Sequence, residues 1–299
     1  MTVERLRPHV KDLGGGLTVR RSLPAASRQS VGPFLFFDHF GPLLVEPEDQ
    51  HDVRPHPHIG LATVTYLYEG AMVHRDSTGA VRRIDPGAIN WMTAGRGIVH
   101  SERRPDDLAG RHYRLHGLQL WVALPEADEA CEPAFDHTAA ADIPQHETCG
   151  VTTRVLVGAA HGLVSPVRTA SPTLFLDHRM EPRGRVDLPA REPGIEQAVY
   201  AADGEVELVF DDDGHTERVA TGEMLVLPEG RSARLCSGAE PARVALIGGA
   251  PLGRRLLWWN FVATRRDLID AAALAWTADT LGRVPGETER IPLPERKPG

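Results

Sequence analysis

Arg54-Pro55-His56-Pro57-His58-Ile59-Gly60 and His100-Ser101-Glu102 are the stretches on which the reading of this chain turns. Residues i and i+2 of a β-strand point to the same face. His56 and His58 can therefore aim at one point, and so can His100 and Glu102. His100 comes forty-two positions after His58. Three or four readable strands lie between them, enough to bring the second pair round opposite the first inside a small barrel. The spacing predicts a site of three histidines and one glutamate, His56, His58, His100 and Glu102, in a barrel interior. Such a donor set suits Fe(II), Mn, Ni or Cu(II), with positions left open for water or substrate. Structural zinc fits less well, because those sites are thiolate-rich and closed.

Working outward, Gly (29) and Pro (24) punctuate short alternating segments throughout the 299 residues, a pattern of an all-β protein. Strands are expected at Thr63–Tyr68, Ala71–Arg75, Val81–Ile84, Ala88–Met92 and Leu118–Leu124. A second block follows at Val151–Val157, Thr173–Asp177, Glu196–Tyr200, Glu205–Phe210, Met224–Leu227 and Ala242–Ile247. Glu126 to Gly150 is acidic, Ala-rich and turn-like, and reads as the connection. The expected division is 1–130, a linker at 131–150, and 151–299. Arg266–Trp276 is the clearest helix, with Thr264 as cap and Leu268, Ile269, Ala272 and Trp276 as its apolar face. The Pro/Gly-punctuated tail after it reads as an irregular strap.

Bulk composition excludes several classes. The net charge is −8, which gives no electrostatic reason for nucleic-acid binding. Three scattered cysteines, Cys131, Cys149 and Cys236, make neither a disulfide framework nor a thiolate zinc site. No apolar run is long enough to span a membrane, and Met1 to Arg21 lacks the apolar core of a signal peptide. The expectation is a cytoplasmic protein. Histidine is the unusual count, with 11 of 14 between His9 and His146.

A family becomes recognisable in these residues. Phe34-Leu35-Phe36-Phe37-Asp38-His39-Phe40-Gly41-Pro42, His56-Pro57-His58-Ile59-Gly60, Glu69-Gly70 and His74-Arg75-Asp76-Ser77 carry the resemblance. So do Trp91-Met92-Thr93-Ala94-Gly95-Arg96-Gly97-Ile98-Val99-His100-Ser101-Glu102 and Gly117-Leu118-Gln119-Leu120-Trp121-Val122. It returns at Gly248–Gly253 and Trp258–Val262. Together these resemble the pirins, a branch of the cupin superfamily. The resemblance implies two tandem cupin barrels of the double-stranded β-helix, jelly-roll type, with a short C-terminal helix. It also implies one mononuclear metal, usually iron, in the N-terminal barrel, with Mn, Ni, Cu or Zn as other occupants. The family's ligands carry over onto His56, His58, His100 and Glu102.

Some members of that family are quercetin 2,3-dioxygenases; others regulate transcription or metabolism through protein contacts. The expectation is an oxidoreductase that opens a flavonol-type aromatic substrate with O2, giving a depside and carbon monoxide from quercetin. Glu102 serves as ligand and, swinging off the metal, as general base. The alternative is a redox-sensitive regulatory protein without turnover. No nucleic-acid or membrane partner is expected, and the protein is expected to be a monomer. Two departures stand out. Ala62 replaces a Glu common in characterised relatives, which is expected to alter the site wall. The second barrel has Pro228-Glu229-Gly230-Arg231-Ser232-Ala233 where a metal histidine would be sought, and is expected to be metal-free.

The remaining polar candidates divide as follows. Gln119 is a candidate pocket group, alternating with Leu118 and Leu120. His39 and His74 are expected to be structural, His112 and His116 to lie on a solvated loop, and His215 on a turn. Met92 with Trp91 reads as core. Gly14-Gly15-Gly16 is too isolated to cradle a phosphate.

Overall fold

A computed structural model describes residues 3–13, 17–49 and 51–295; Gly14-Gly15-Gly16 lies outside the described residues. The chain divides into two compact units. One is built mainly from Phe40–Ala140 and Gly253–Gly299 and contains both histidine pairs. The other is built mainly from Val19–His39 and Ala141–Leu252. This differs from the sequential division at 1–130, 131–150 and 151–299, because both ends of the chain change partners.

The reason lies in packing. The strand Phe34–Val45 runs across the boundary between His39 and Phe40. At the other end, the helix Arg266–Thr277 buries Ile269, Ala272 and Trp276 against Ile59, Val99 and Phe261 of the first barrel. Fully burying such side chains contributes roughly 1.5–3 kcal/mol each, more than a free tail could recover elsewhere. The helix begins at Arg266 as expected, but its N-cap is Arg265, one residue after the expected Thr264. Thr264 donates its backbone N–H and its hydroxyl to the Glu129 carboxylate at 2.9 and 2.7 Å, so its side chain is not available to cap.

In the histidine-rich unit the larger sheet runs Ala134–Thr138, Ile89–Thr93, Leu61–Glu69, Tyr113–Ala123, then Phe34–Val45. The smaller sheet runs Val53–His58, Ile98–Arg103, Met72–Asp76, Val81–Ile84. The strand pairings described within these two sheets are antiparallel. The expected linker is corrected by two of its own segments. Ala134–Thr138 pairs with Ile89–Thr93, and Gln145–Thr148 pairs with Val151–Arg154. Both are edge strands, which tolerate the polar composition that made them read as loop.

The other unit repeats this plan. Its larger sheet includes Glu196–Asp203, Ala242–Gly249, Thr173–Met180 and Val151–Val157; its smaller one includes Arg185–Leu188, Ala233–Ser237, Val206–Phe210 and Thr216–Val219. Val155, Leu176, Val199 and Leu246 of the first meet Val186, Leu208, Phe210 and Leu235 of the second in one apolar core. His178 and Thr153 lie within this unit, both fully buried and bonded to each other at 2.8 Å.

Candidate metal centre

Both halves of the candidate site come from neighbouring strands of the smaller sheet. His100 stands opposite His56, and Glu102 opposite Val53, so Arg54 and Pro55 together face the single residue Ser101. This bulge falls where proline has no N–H to give to the ladder. It frees the Arg54 carbonyl, which accepts a hydrogen bond from His56 Nδ1 at 2.9 Å. The Asn260 carbonyl accepts one from His58 Nδ1 at 3.2 Å. A carbonyl can only accept, so both rings carry the proton on Nδ1 and keep the Nε2 lone pair for a ligand.

The rings of His56, His58 and His100 lie 4.3–5.0 Å apart, centre to centre. One nitrogen from each lies within 4.8 Å of the others. Burial pushes His56 down to about 4, and holds His58 and His100 well below the ordinary histidine range. The imidazoles are thus neutral at physiological pH, the form that binds metal. Both nitrogens of His100 are buried without a hydrogen-bond partner. Orphaned buried nitrogens are costly, and three converging neutral imidazoles make a donor set that a divalent transition metal fits.

Glu102 borders this cluster. Its Oε1 lies 3.8 Å from His100 Nδ1, and burial pushes its carboxyl up to about 7. A divalent cation beside it would favour the charged form. His74, opposite Glu102 in the strand register, packs 5.3 Å from the His100 ring. Its Nε2 bonds Asp76 at 2.8 Å, and its ring stacks on Phe135 at 4.2 Å. Asp76 also accepts from Thr78 and Ala80, so this support is rigid. Trp121 presents its ring to His58 at 5.2 Å.

Structural roles expected for other histidines resolve individually. His74 is structural, yet its structural task is to back a candidate ligand; the alternation His74-x-Asp76 was the available signal. Phe135 was missed because it sits in the stretch read as linker. His39 bonds Tyr200 at 2.7 Å in the other unit. His112 is exposed and paired with Glu46 at 2.8 Å. His116 is not solvated but buried against Tyr68. His215 is exposed and bonded to Glu217.

Ala62 needs a correction. It pairs with Val122 and Thr93, whereas its neighbour Thr63 pairs with Trp121, the residue touching His58. Strand alternation therefore turns Ala62 away from the site, so this position does not form the site wall as expected.

The two-barrel plan is shared with known proteins. Residues 16–122 match the family model described as Pirin, and residues 175–282 match the Pirin C-terminal cupin domain. A pirin-like protein of Caulobacter vibrioides is 41% identical over 290 residues, covering 95% of this chain and 96% of that one. Human pirin is 36% identical over 265 residues, covering 87% of each. Among solved structures, a quercetin 2,3-dioxygenase from Acinetobacter baumannii superposes with a TM-score of 0.87 at 33% identity, over 99% of this chain and 97% of that one. Identity at this level over nearly the whole length, on two barrels of the same plan, leaves one conclusion: the chain belongs to the pirin family.

Proposed function

We propose that this protein is a mononuclear iron dioxygenase acting on flavonol-type, quercetin-like substrates. In this reading His56, His58, His100 and Glu102 hold the metal. The observation that carries it is the convergence of three buried neutral imidazoles beside a buried carboxyl. The 33% identity to a quercetin 2,3-dioxygenase supports the substrate class. When bound, the metal supplies Lewis acidity at the substrate's enol oxygen and a meeting place for O2.

The chain's own residues do the rest. Glu102 takes the proton of the substrate hydroxyl, a role suited to a buried carboxylate held beside the histidine cluster. Trp121 and Phe135 flank the histidines with flat apolar surface for aromatic rings. Burial of the cluster keeps bulk water from the reacting atoms. The second barrel is assigned a structural role, in keeping with its apolar filling.

Metal analysis after iron-supplemented expression comes first; Mn, Ni, Cu or Zn in place of iron would revise the metal. Quercetin and O2 are then added and the flavonol absorbance band followed. Decay above a His56→Ala control supports the proposal. Stoichiometric iron without decay overturns the quercetinase reading and favours the redox-sensitive regulatory one, which acts through protein contacts.

A further inference from the structure

Four polar side chains form one row across the larger sheet of the metal-site unit. His137 stands opposite Asn90, Asn90 opposite Thr65, and Thr65 opposite Gln119. Opposed residues in antiparallel strands project to the same face, so the row shares a face throughout. Which face it is follows from both ends independently. Two residues along from Gln119, Trp121 touches the His58 ring; two residues along from His137, Phe135 stacks on His74. The row therefore faces the barrel interior and looks across at the histidines.

The wall has two levels. Phe135, Met92, Thr63 and Trp121 form the level beside the histidines, mainly apolar and aromatic. The polar row lies two residues further along each strand, roughly 7 Å away. Its hydrogen bonds are partial. Thr65 Oγ1 donates to Gln119 Oε1 at 3.0 Å, and His137 Nδ1 bonds Asn90 Oδ1 at 2.7 Å. The bonds described use only the amide oxygens of Gln119 and Asn90, so two carboxamide NH2 groups remain to donate into the barrel.

We infer that Gln119 and Asn90, braced by Thr65 and His137, form a subsite that reads oxygen substituents on the ring of an aromatic substrate remote from the metal. The inference rests on the flavonol reading of the site and deepens it. The NH2 donors suit phenolic and ketonic oxygens, which accept hydrogen bonds. An unsubstituted ring would leave them unpaired, and discrimination of this kind is larger than a lost contact alone would give. Neither residue belongs to the candidate ligand set, so the row selects substrate without altering metal binding.

The test is anaerobic binding to the iron-loaded full-length protein, which separates recognition from turnover. Quercetin is compared with 3-hydroxyflavone, which lacks the other ring hydroxyls, by titration calorimetry. Wild type should prefer quercetin by at least about tenfold, each hydrogen bond giving roughly three- to tenfold. Gln119→Leu and Asn90→Leu should each lower that preference several-fold at unchanged iron content, with 3-hydroxyflavone affinity held. Gln119 is only half-buried, so its variant keeps the test open should the Asn90 variant fail to fold. An unchanged preference in Gln119→Leu would overturn this subsite alone. Failure of wild type to bind either flavonol would overturn the substrate class, and the subsite with it.

Discussion

Ser101 donates its hydroxyl to Glu287 at 2.7 Å, fastening the chain's tail to the back of the strand that carries His100 and Glu102. Arg103 bonds the same carboxylate, and Ile291 N–H donates to the Pro55 carbonyl at 2.8 Å, inside the bulge before His56. The tail thus grips both strands of the candidate site from the side opposite its histidines. Burial alone would raise the Glu287 carboxyl, but its bonds to Arg103 and Ser101 hold it below the ordinary range. Glu287→Ala should cost roughly 1–3 kcal/mol, since it strips two partners from a shielded network. Glu289, whose side chain is 50% exposed, binds the same arginine, and Glu289→Ala should cost less than about 1 kcal/mol. Calorimetry reads both, and iron retained after dialysis should fall only for Glu287→Ala.

The three histidines and Glu102 should differ in their effect on metal. Removing His56, His58 or His100 deletes a member of the converging trio, and each Ala variant should lose stoichiometric metal. Glu102→Gln keeps the trio and should weaken retention by roughly tenfold to a hundredfold. Metal per chain after a graded chelator challenge is the measurement. Full retention by His100→Ala would contradict the proposed ligand set.

In the other barrel, His178 gives a pH signature. Burial pushes it from 6.5 down to about 4. Above the unfolded value the ring is neutral in both states and its contribution is complete. As pH falls from about 6.5 to about 4, the unfolded chain takes a proton that the folded chain refuses, so stability falls. Between pH 7 and pH 5 the loss from this group is roughly 2 kcal/mol. His178→Gln, which can still bond Thr153, should flatten the denaturation-derived stability profile by about that amount relative to wild type.

Gly60 closes the turn after His58 with φ +69, and a Cβ there would lie 2.0 Å from the Val262 carbonyl oxygen. Gly60→Ala combines backbone strain with a clash against a backbone atom, and should cost more than about 3 kcal/mol. Gly79 also has positive φ but nothing within 4 Å of its Cβ position, so Gly79→Ala should cost about 1 kcal/mol. Thermal midpoints of the two variants compare clash with strain.

Strand period and spacing by themselves determined the all-β class, the pairing of His56 with His58 and of His100 with Glu102, and the helix at Arg266–Thr277. These are local properties: alternation decides which side chains share a face, and a 3.6-residue period marks an apolar stripe. Long motifs such as Trp91–Glu102 added the family. Strand ends were legible only within a few residues, as at Tyr113–Ala123, which begins five residues before the expected Leu118. There the apolar alternation starts later than the backbone pairing.

Only the tertiary structure decided what surrounds the histidines. The bulge at Arg54-Pro55, which frees the carbonyl orienting His56, is a matter of register between strands more than 40 residues apart. Phe135 reaches His74 from a stretch whose composition spoke for a loop, and Asn260 orients His58 from the far end of the chain. The polar row from Gln119 to His137 exists only because four strands align those residues side by side. Periodicity assigns a side chain to a face; which distant segment comes to cover that face is settled by burial of apolar surface over the whole chain, and no local window contains that information.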